Sequence, residues 1–169
     1  FLDNDHRQYS CAYWKSSTET LEEAQQNKIN HIIKKLNLLP EQKVLDIGCG
    51  WGSMCFSIAK QSGCEVTGVT LSKNQYEYCK KKAKELKIDN QCHFELLDYR
   101  QLKGKFHRVV SVGMLEHVGR KFYKIFFKKI NDLMTNDGIG LIHTIGSTDP
   151  KTPPAPFIQK FIFPGGLVP

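Results

Sequence analysis

Apolar and polar positions along this chain follow two different periods, and each change of period marks an element. Leu21, Ala24, Ile29, Ile32, Ile33 and Leu36 recur at helical spacing, with Thr20 and Glu23 placed as a capping box. They predict a helix over about 20–37 that ends near Pro40. Lys43 to Ile47 reads as a buried strand, stopped by three glycines in five residues. A helix from Gly52 to Gln61 follows, then a short β-branched strand from Glu65 to Thr70. Ser72 is placed to cap a lysine-rich helix that runs to about Lys87. Cys92 to Leu97 predicts a third strand and Arg108 to Val112 a fourth. Phe122, Phe126, Ile130 and Leu133 mark an amphipathic helix closed near Asn136-Asp137-Gly138, and Ile139 to Ile145 a fifth strand.

Strands that alternate with helices imply parallel β-α-β units in a doubly wound α/β sheet covered on both faces. Crossovers are then right-handed, and a ligand sits beyond the carboxyl ends of the strands at the switch point. After Gly146 the character changes, because six of the seven prolines fall between Asp149 and the end. Residues 1–145 are therefore read as the ligand-binding core and 146–169 as a Pro/Gly-rich, extended region without helical period. No internal repeat is visible.

At 169 residues, 40% apolar and 24% charged, the chain suits one soluble domain and not a disordered one. No apolar run approaches the roughly 18 residues a membrane span needs. The early acidic pair Asp3 and Asp5 precedes no cleavage pattern, so no signal peptide is expected. A start at Phe1 rather than Met suggests a piece of a longer protein. The six cysteines show no Cys-x-x-Cys spacing and several lie in apolar runs. They read as reduced thiols of a cytoplasmic protein, mostly small packing residues, and no metal site is expected.

The net charge of +7 is concentrated on Lys80, Lys81, Lys82, Lys84 and Lys87 and on Arg120, Lys121, Lys124, Lys128 and Lys129. Two solvated helix faces explain it, and so does attraction to an acidic bilayer or a nucleic acid. Charge alone does not choose.

The glycine turn carries more information. Asp46-Ile47-Gly48-Cys49-Gly50-Trp51-Gly52 lies between a strand and a helix, where glycines let a ligand approach backbone free of Cβ atoms. A dinucleotide site calls for Gly-x-Gly-x-x-Gly and an acid at the end of the next strand, where this chain has Thr70-Leu71. A pyrophosphate also gains nothing from Asp46. S-adenosylmethionine carries an ammonium and a sulfonium, for which a carboxylate is electrostatically favourable, and is the better candidate.

Several blocks together resemble the cyclopropane-fatty-acyl-phospholipid synthases, including the mycolic acid cyclopropane synthases. They are Tyr9-Ser10-Cys11-Ala12-Tyr13-Trp14, Val44 to Gly52, Gly68-Val69-Thr70-Leu71-Ser72 with Gln75, Glu116-His117-Val118-Gly119, Leu141 to Gly146, and Phe161-Ile162-Phe163-Pro164-Gly165-Gly166. The resemblance implies a Rossmann-like sheet of the class I methyltransferase type, truncated here after the fifth strand, with 146–169 as the start of an acyl-substrate region. It implies that Tyr9 and Ser10 reach the methionine end of S-adenosylmethionine, that Gly48, Gly50 and Gly52 line it, that Thr70 and Gln75 meet the ribose, and that Asp98 and Tyr99 border the adenine, with Asp46, Trp51 and Leu71 also among the cofactor-binding residues.

The activity so implied converts a cis double bond of a phospholipid acyl chain into a cyclopropane ring through a carbocation, with bicarbonate as the bound base. Its holders by resemblance are Cys11, through its backbone, Glu116 and His143. Purely structural readings stand beside these: His143 as a hydrogen-bonding core residue, Glu116 as a cap and Cys11 as packing. His117 is read as structural. Phe157, Phe161 and Phe163 suit either a core or an acyl channel.

The expected partners are unsaturated acyl chains and, transiently, an acidic membrane surface; no nucleic acid is expected, and a homodimer stays open. The expected location is cytoplasmic and peripheral to the membrane. A small-amine N-methyltransferase of the related alkaloid type is the alternative within the fold, against which Trp51 and the Phe-Pro-Gly-Gly block argue. A non-catalytic nucleic-acid module lacks any stacking motif or recognition helix.

Overall fold

The computed structural model describes residues 2–146 and 155–162. Strands β1 (Lys43–Ile47), β2 (Glu65–Thr70), β3 (Cys92–Leu96), β4 (Phe106–Val112) and β5 (Met134–His143) form one sheet in the order β3-β2-β1-β4-β5. Every pairing is parallel. Helices α1 (Leu21–Leu36), α2 (Ser53–Ser62), α3 (Lys73–Glu85) and α4 (Tyr123–Leu133) cover it.

The period of two in the strands decides which helix each residue meets. Val44, Val66 and Val110 share a core with Ile29, Ile32 and Leu36 of α1, Cys55 and Ile58 of α2, and Cys79 of α3. Leu45, Ile47, Val69 and Val109 pack on the other face against Phe126, Ile130 and Leu133 of α4. The sheet is thus doubly wound, and the chain reverses its winding at β1, which pairs with both β2 and β4. The crevice this opens lies at the carboxyl ends of β1 and β4.

Local chemistry agrees with this architecture. The Thr20 hydroxyl accepts the Glu23 N–H at 3.2 Å, and the Glu23 carboxylate accepts the Thr20 N–H at 2.8 Å, so the capping box at the start of α1 is complete. At its other end Arg108 of β4, only 5% exposed, donates to the carbonyls of Leu36 and Asn37 at 2.5 and 3.0 Å. The buried guanidinium satisfies orphan carbonyls and opposes the negative end of the helix dipole, which locks α1 to the sheet.

Three expectations need correction. β5 starts at Met134, directly after α4, rather than at Ile139. The Asn136-Asp137-Gly138 segment is a register irregularity inside it, since Phe106 pairs with Met134 and Arg108 already with Ile139. A Cβ at Gly138 would lie 2.9 Å from the Thr135 carbonyl oxygen, so the irregularity requires glycine there. β5 also ends at His143 rather than Ile145, because the Ile145 N–H leaves the ladder for a side chain described below. In the region read as extended, Ile158–Ile162 forms one π-helical turn with Phe157 and Phe161 in ring contact at 5.3 Å. Phe163 and the Pro164-Gly165-Gly166 block lie outside the described residues.

Candidate active site

The site begins where β1 ends. Gly48 and Gly50 adopt φ of +79° and +55°, a conformation that L side chains rarely take. The N–H groups of Gly48 and Cys49 both donate to the Val69 carbonyl at 3.0 Å, which bends the chain across the end of β2. Gly52 has a different task. It precedes α2, and a Cβ there would come within 2.8 Å of both Cys79 Sγ and the Phe56 ring. It serves close packing of α2 and lines none of the cavities described here, contrary to its expected place beside the cofactor.

A cavity of about 490 Å³ opens above the turn. Of the residues assigned to the cofactor, it brings together Tyr9, Gly48, Gly50, Thr70, Leu71, Gln75, Asp98 and Tyr99. The Thr70 hydroxyl accepts the Ser72 N–H at 3.1 Å and donates to Gln75 Oε1 at 2.8 Å. That engages the amide oxygen of Gln75 and leaves its NH₂ as the end suited to a ligand hydroxyl. Asp98 is held by the Arg100 backbone N–H at 2.9 Å and by the Arg100 guanidinium, whose hydrogen bonds keep its carboxyl below the usual range. Tyr99 is fixed edge-on against Phe126 at 5.5 Å. Met114, Val118 and Phe122 add an apolar wall that sequence reasoning did not assign.

A smaller cavity of about 40 Å³ adjoins it beneath an N-terminal strap and includes Ser10, Asp46 and Trp51. Asp3, 2% exposed, accepts the N–H groups of His6 and Gln8 and so shapes the strap. The Arg7 guanidinium then lies 4.6 Å from the Tyr78 ring centre and 5.9 Å from that of Trp51. Asp46 faces the α1–α3 side, where the Cys55 thiol donates to it at 3.4 Å. Burial pushes its carboxyl up to about 8, with Cys49 adding to the shift. At pH 7 the group is mostly protonated, so it becomes an effective counter-charge only when a cation draws its pKa down. Cys49, Cys55, Cys64, Cys79 and Cys92 are buried and unpaired, as expected, whereas Cys11 is exposed and not a packing residue.

A third cavity, of about 280 Å³, brings Cys11, Glu116 and His143 together. Glu116 is 1% exposed; its Oε1 accepts the Ile145 N–H at 2.8 Å, while its Oε2 has no partner among the described residues. Nδ1 of His143 is likewise buried without a partner among them. Burial and the nearby Lys28 lower the His143 pKa against the opposing pull of Glu116, so its imidazole is neutral at pH 7. Tyr9 and His117 line both this cavity and the 490 Å³ one, and so form their common wall. His117 is exposed there. Phe161 and Ile162 close the third cavity, which supports the channel reading for Phe161; Phe157 lies outside it.

A doubly wound parallel sheet, with a glycine turn at its switch point and a cavity over the strand ends, defines the class I methyltransferase type of fold. Within that class, the chain belongs to the mycolic acid cyclopropane synthetase family, whose sequence model matches residues 1–169. It is 44% identical over 162 residues to the cyclopropane-fatty-acyl-phospholipid synthase of Escherichia coli K12, which covers 96% of this chain and 41% of the relative. The chain thus spans less than half of that relative's length. A crystal structure of a mycolic acid cyclopropane synthase complexed with SAH and CTAB superposes with a TM-score of 0.90 at 35% identity, over 100% of this chain and 64% of the other. Coclaurine N-methyltransferase, at a TM-score of 0.85, 24% identity and coverage of 99% and 51%, shares the fold.

Proposed function

We propose that this chain is the cofactor-binding core of an enzyme that methylates a cis double bond of a phospholipid acyl chain and closes a cyclopropane ring. The observation that carries the reading is the shared wall. Tyr9 and His117 separate a cavity over a glycine turn from one lined by Glu116 and His143, each with a buried polar atom that has no partner among the described residues. The names of the relatives supply the acyl substrate, and SAH in a related crystal structure supports the cofactor.

S-adenosylmethionine, when bound, supplies an electrophilic methyl on a sulfonium. Gly48 and Gly50 fit it because they keep Cβ atoms out of the cavity floor. Gln75, braced by Thr70, meets the ribose, and Asp98 and Tyr99 border the adenine. Tyr9, Ser10 and Trp51 meet the methionine end, with Asp46 beneath. An alkene is a weak nucleophile, so the contribution of the protein is placement and the exclusion of water by Tyr9, Met114, Val118 and Phe122.

Ring closure requires a proton to leave the transferred methyl. Bicarbonate, when bound, supplies a base that is a poor competitor as nucleophile. Glu116 Oε2 is a fitting acceptor for its hydroxyl, and Cys11 and His143 flank the same space.

Contact with an acidic bilayer is also proposed, at the start of α4. Phe122, Ile125 and Phe127 are 44–51% exposed there beside exposed Lys121 and Lys124, and Phe122 also borders the 490 Å³ cavity. No helix of the described residues is long and apolar enough to cross a membrane.

The test is methyl transfer from labelled cofactor by the full-length enzyme, offered vesicles of cis-unsaturated phospholipid, saturated phospholipid, or a benzylisoquinoline-type amine. Label in a ring from the unsaturated lipid alone supports the reading. Label on the amine alone overturns it.

A further inference from the structure

Helix α1 carries two polar residues where its period calls for apolar ones. Gln25 and Lys28, one turn apart, are 2% and 3% exposed, on the same face as Ala24, Ile29 and Ile32. A buried ammonium is strongly unfavourable unless its donors are used. No carboxylate lies within 4.0 Å of Lys28 among the described residues. Its Nζ instead donates to Ser10, at 2.7 Å to Oγ and 3.4 Å to the carbonyl. Gln25 Nε2 donates to the carbonyls of Ser10 at 3.1 Å and Gln8 at 3.4 Å. The polar pair is therefore committed to one short stretch of the N-terminal strap.

A protonated lysine has three donors and no acceptor. Ser10 Oγ must accept from Lys28, so the proton on its own hydroxyl points away from the ammonium. No second hydrogen bond of this hydroxyl to the described residues takes that proton up. Ser10 lines both the 40 Å³ cavity beside Asp46 and the 280 Å³ cavity with Glu116 and His143. Burial brings the Lys28 ammonium down to about 8, against the opposing influence of Cys11 and Asp3, which leaves it charged at pH 7.

We propose that Lys28 is a positioning residue that makes the Ser10 hydroxyl a one-way donor to a carboxylate-type oxyanion where these two cavities meet. Two ligands of the proposed reaction carry that group: the methionine carboxylate of the cofactor, and bicarbonate. The inference rests on the methyltransferase reading and adds to it a residue that touches neither ligand.

The experiment uses the full-length enzyme with Lys28→Met, Lys28→Arg and Ser10→Ala. Calorimetry measures S-adenosylhomocysteine and its decarboxylated analogue, and turnover is followed against added bicarbonate. If the cofactor carboxylate is the ligand, Lys28→Met weakens S-adenosylhomocysteine at least tenfold and leaves the analogue within twofold. If bicarbonate is the ligand, half-saturating bicarbonate rises at least tenfold while S-adenosylhomocysteine stays within twofold. In either case Lys28→Arg recovers most of the loss, and Ser10→Ala reproduces it with no further loss in the double variant. Equal weakening of both nucleosides means a displaced strap and overturns the proposal, as does no change in any readout. Should Lys28→Met fail to fold, Ser10→Ala decides alone, since it removes the donor and keeps the ammonium. A wild type that binds no S-adenosylhomocysteine sinks the methyltransferase reading itself, a result distinct from all of these.

Discussion

The Glu116 carboxylate accepts the backbone N–H of Ile145 at 2.8 Å and so ties the loop after β4 to the end of β5. One oxygen is spent on this brace, and the other is buried without a partner among the described residues, in a side chain that lines the third cavity. Glu116→Gln keeps an oxygen for the brace and replaces the unpartnered acceptor by an NH₂ donor. The full-length variant should retain S-adenosylhomocysteine affinity within about threefold and lose turnover by roughly a hundredfold or more, as for an impaired general base. Bicarbonate depletion should slow the wild type and scarcely change the variant. Wild-type turnover by Glu116→Gln would remove this residue from the proposed chemistry.

The two cavity glycines should differ in their tolerance of a side chain. A Cβ at Gly48 meets Met114 Cγ at 3.0 Å, whereas one at Gly50 comes no nearer than 3.6 Å, to the Tyr9 hydroxyl. Both sit in the left-handed region, which costs an L residue about 1–2 kcal/mol. Gly48→Ala should therefore lower the melting temperature more than Gly50→Ala. Valine at either place should abolish S-adenosylhomocysteine binding in calorimetry on folded protein. Undiminished binding by Gly50→Val would put the ligand elsewhere.

Asp46 makes stability depend on pH in an unusual direction. Burial raises its carboxyl from 3.8 to about 8 in the folded chain. Between those values the unfolded chain is ionised and the folded one is not. The contribution of Asp46 is thus fully present below about pH 4 and is lost as pH rises towards 8, by about 1.4 kcal/mol per unit at most. His143, whose folded pKa is lowered, acts in the opposite sense below about 6.5. The readout is therefore the difference between wild type and Asp46→Asn in urea unfolding without ligand. Asp46→Asn should gain on the wild type steadily from pH 5 to 8; parallel curves would show that the carboxyl titrates normally.

The lysines should not contribute equally to membrane binding. Lys81 pairs with Glu85 at 3.9 Å and Lys128 with Asp132 at 2.8 Å, whereas Lys121 and Lys124 stand exposed beside Phe122 and Ile125. Glutamate at 121 and 124 should weaken binding to anionic vesicles more than glutamate at 81 and 84. Wild-type binding should fall as salt rises to 0.5 M, where the Debye length is only about 4 Å. Unchanged affinity in both variants would return all four lysines to a solvated surface, and equal weakening by both would overturn the contact at the start of α4.

Elements and their order were legible in the sequence because they follow from local periods and punctuation. The capping box at Thr20 and Glu23, the strand from Glu65 to Thr70 and the glycine turn after Ile47 each depend on neighbours a few residues away. The bounds of β5 were not legible, since its early start depends on a register irregularity against β4 and its end on the distant Glu116 carboxylate.

The residues that line the cavities over the turn were readable for the same local reason, whereas Gly52 lines none of them. Its neighbours Phe56 and Cys79 come from α2 and α3, and only their packing shows that it faces a helix contact. Lys28 escaped notice because a lysine on a helix looks ordinary until distant segments converge on it, and the place of His117 in the wall between two cavities likewise depends on segments far apart in the chain. Periods and punctuation along the chain account for the set of elements, the alternation that makes the sheet parallel, and the turn at its switch point. Packing of the folded chain sets which polar atoms lack partners among the described residues, which cavities share a wall, and that a buried ammonium on α1 faces Ser10. Those are properties of chain segments far apart in sequence, and no local period encodes them.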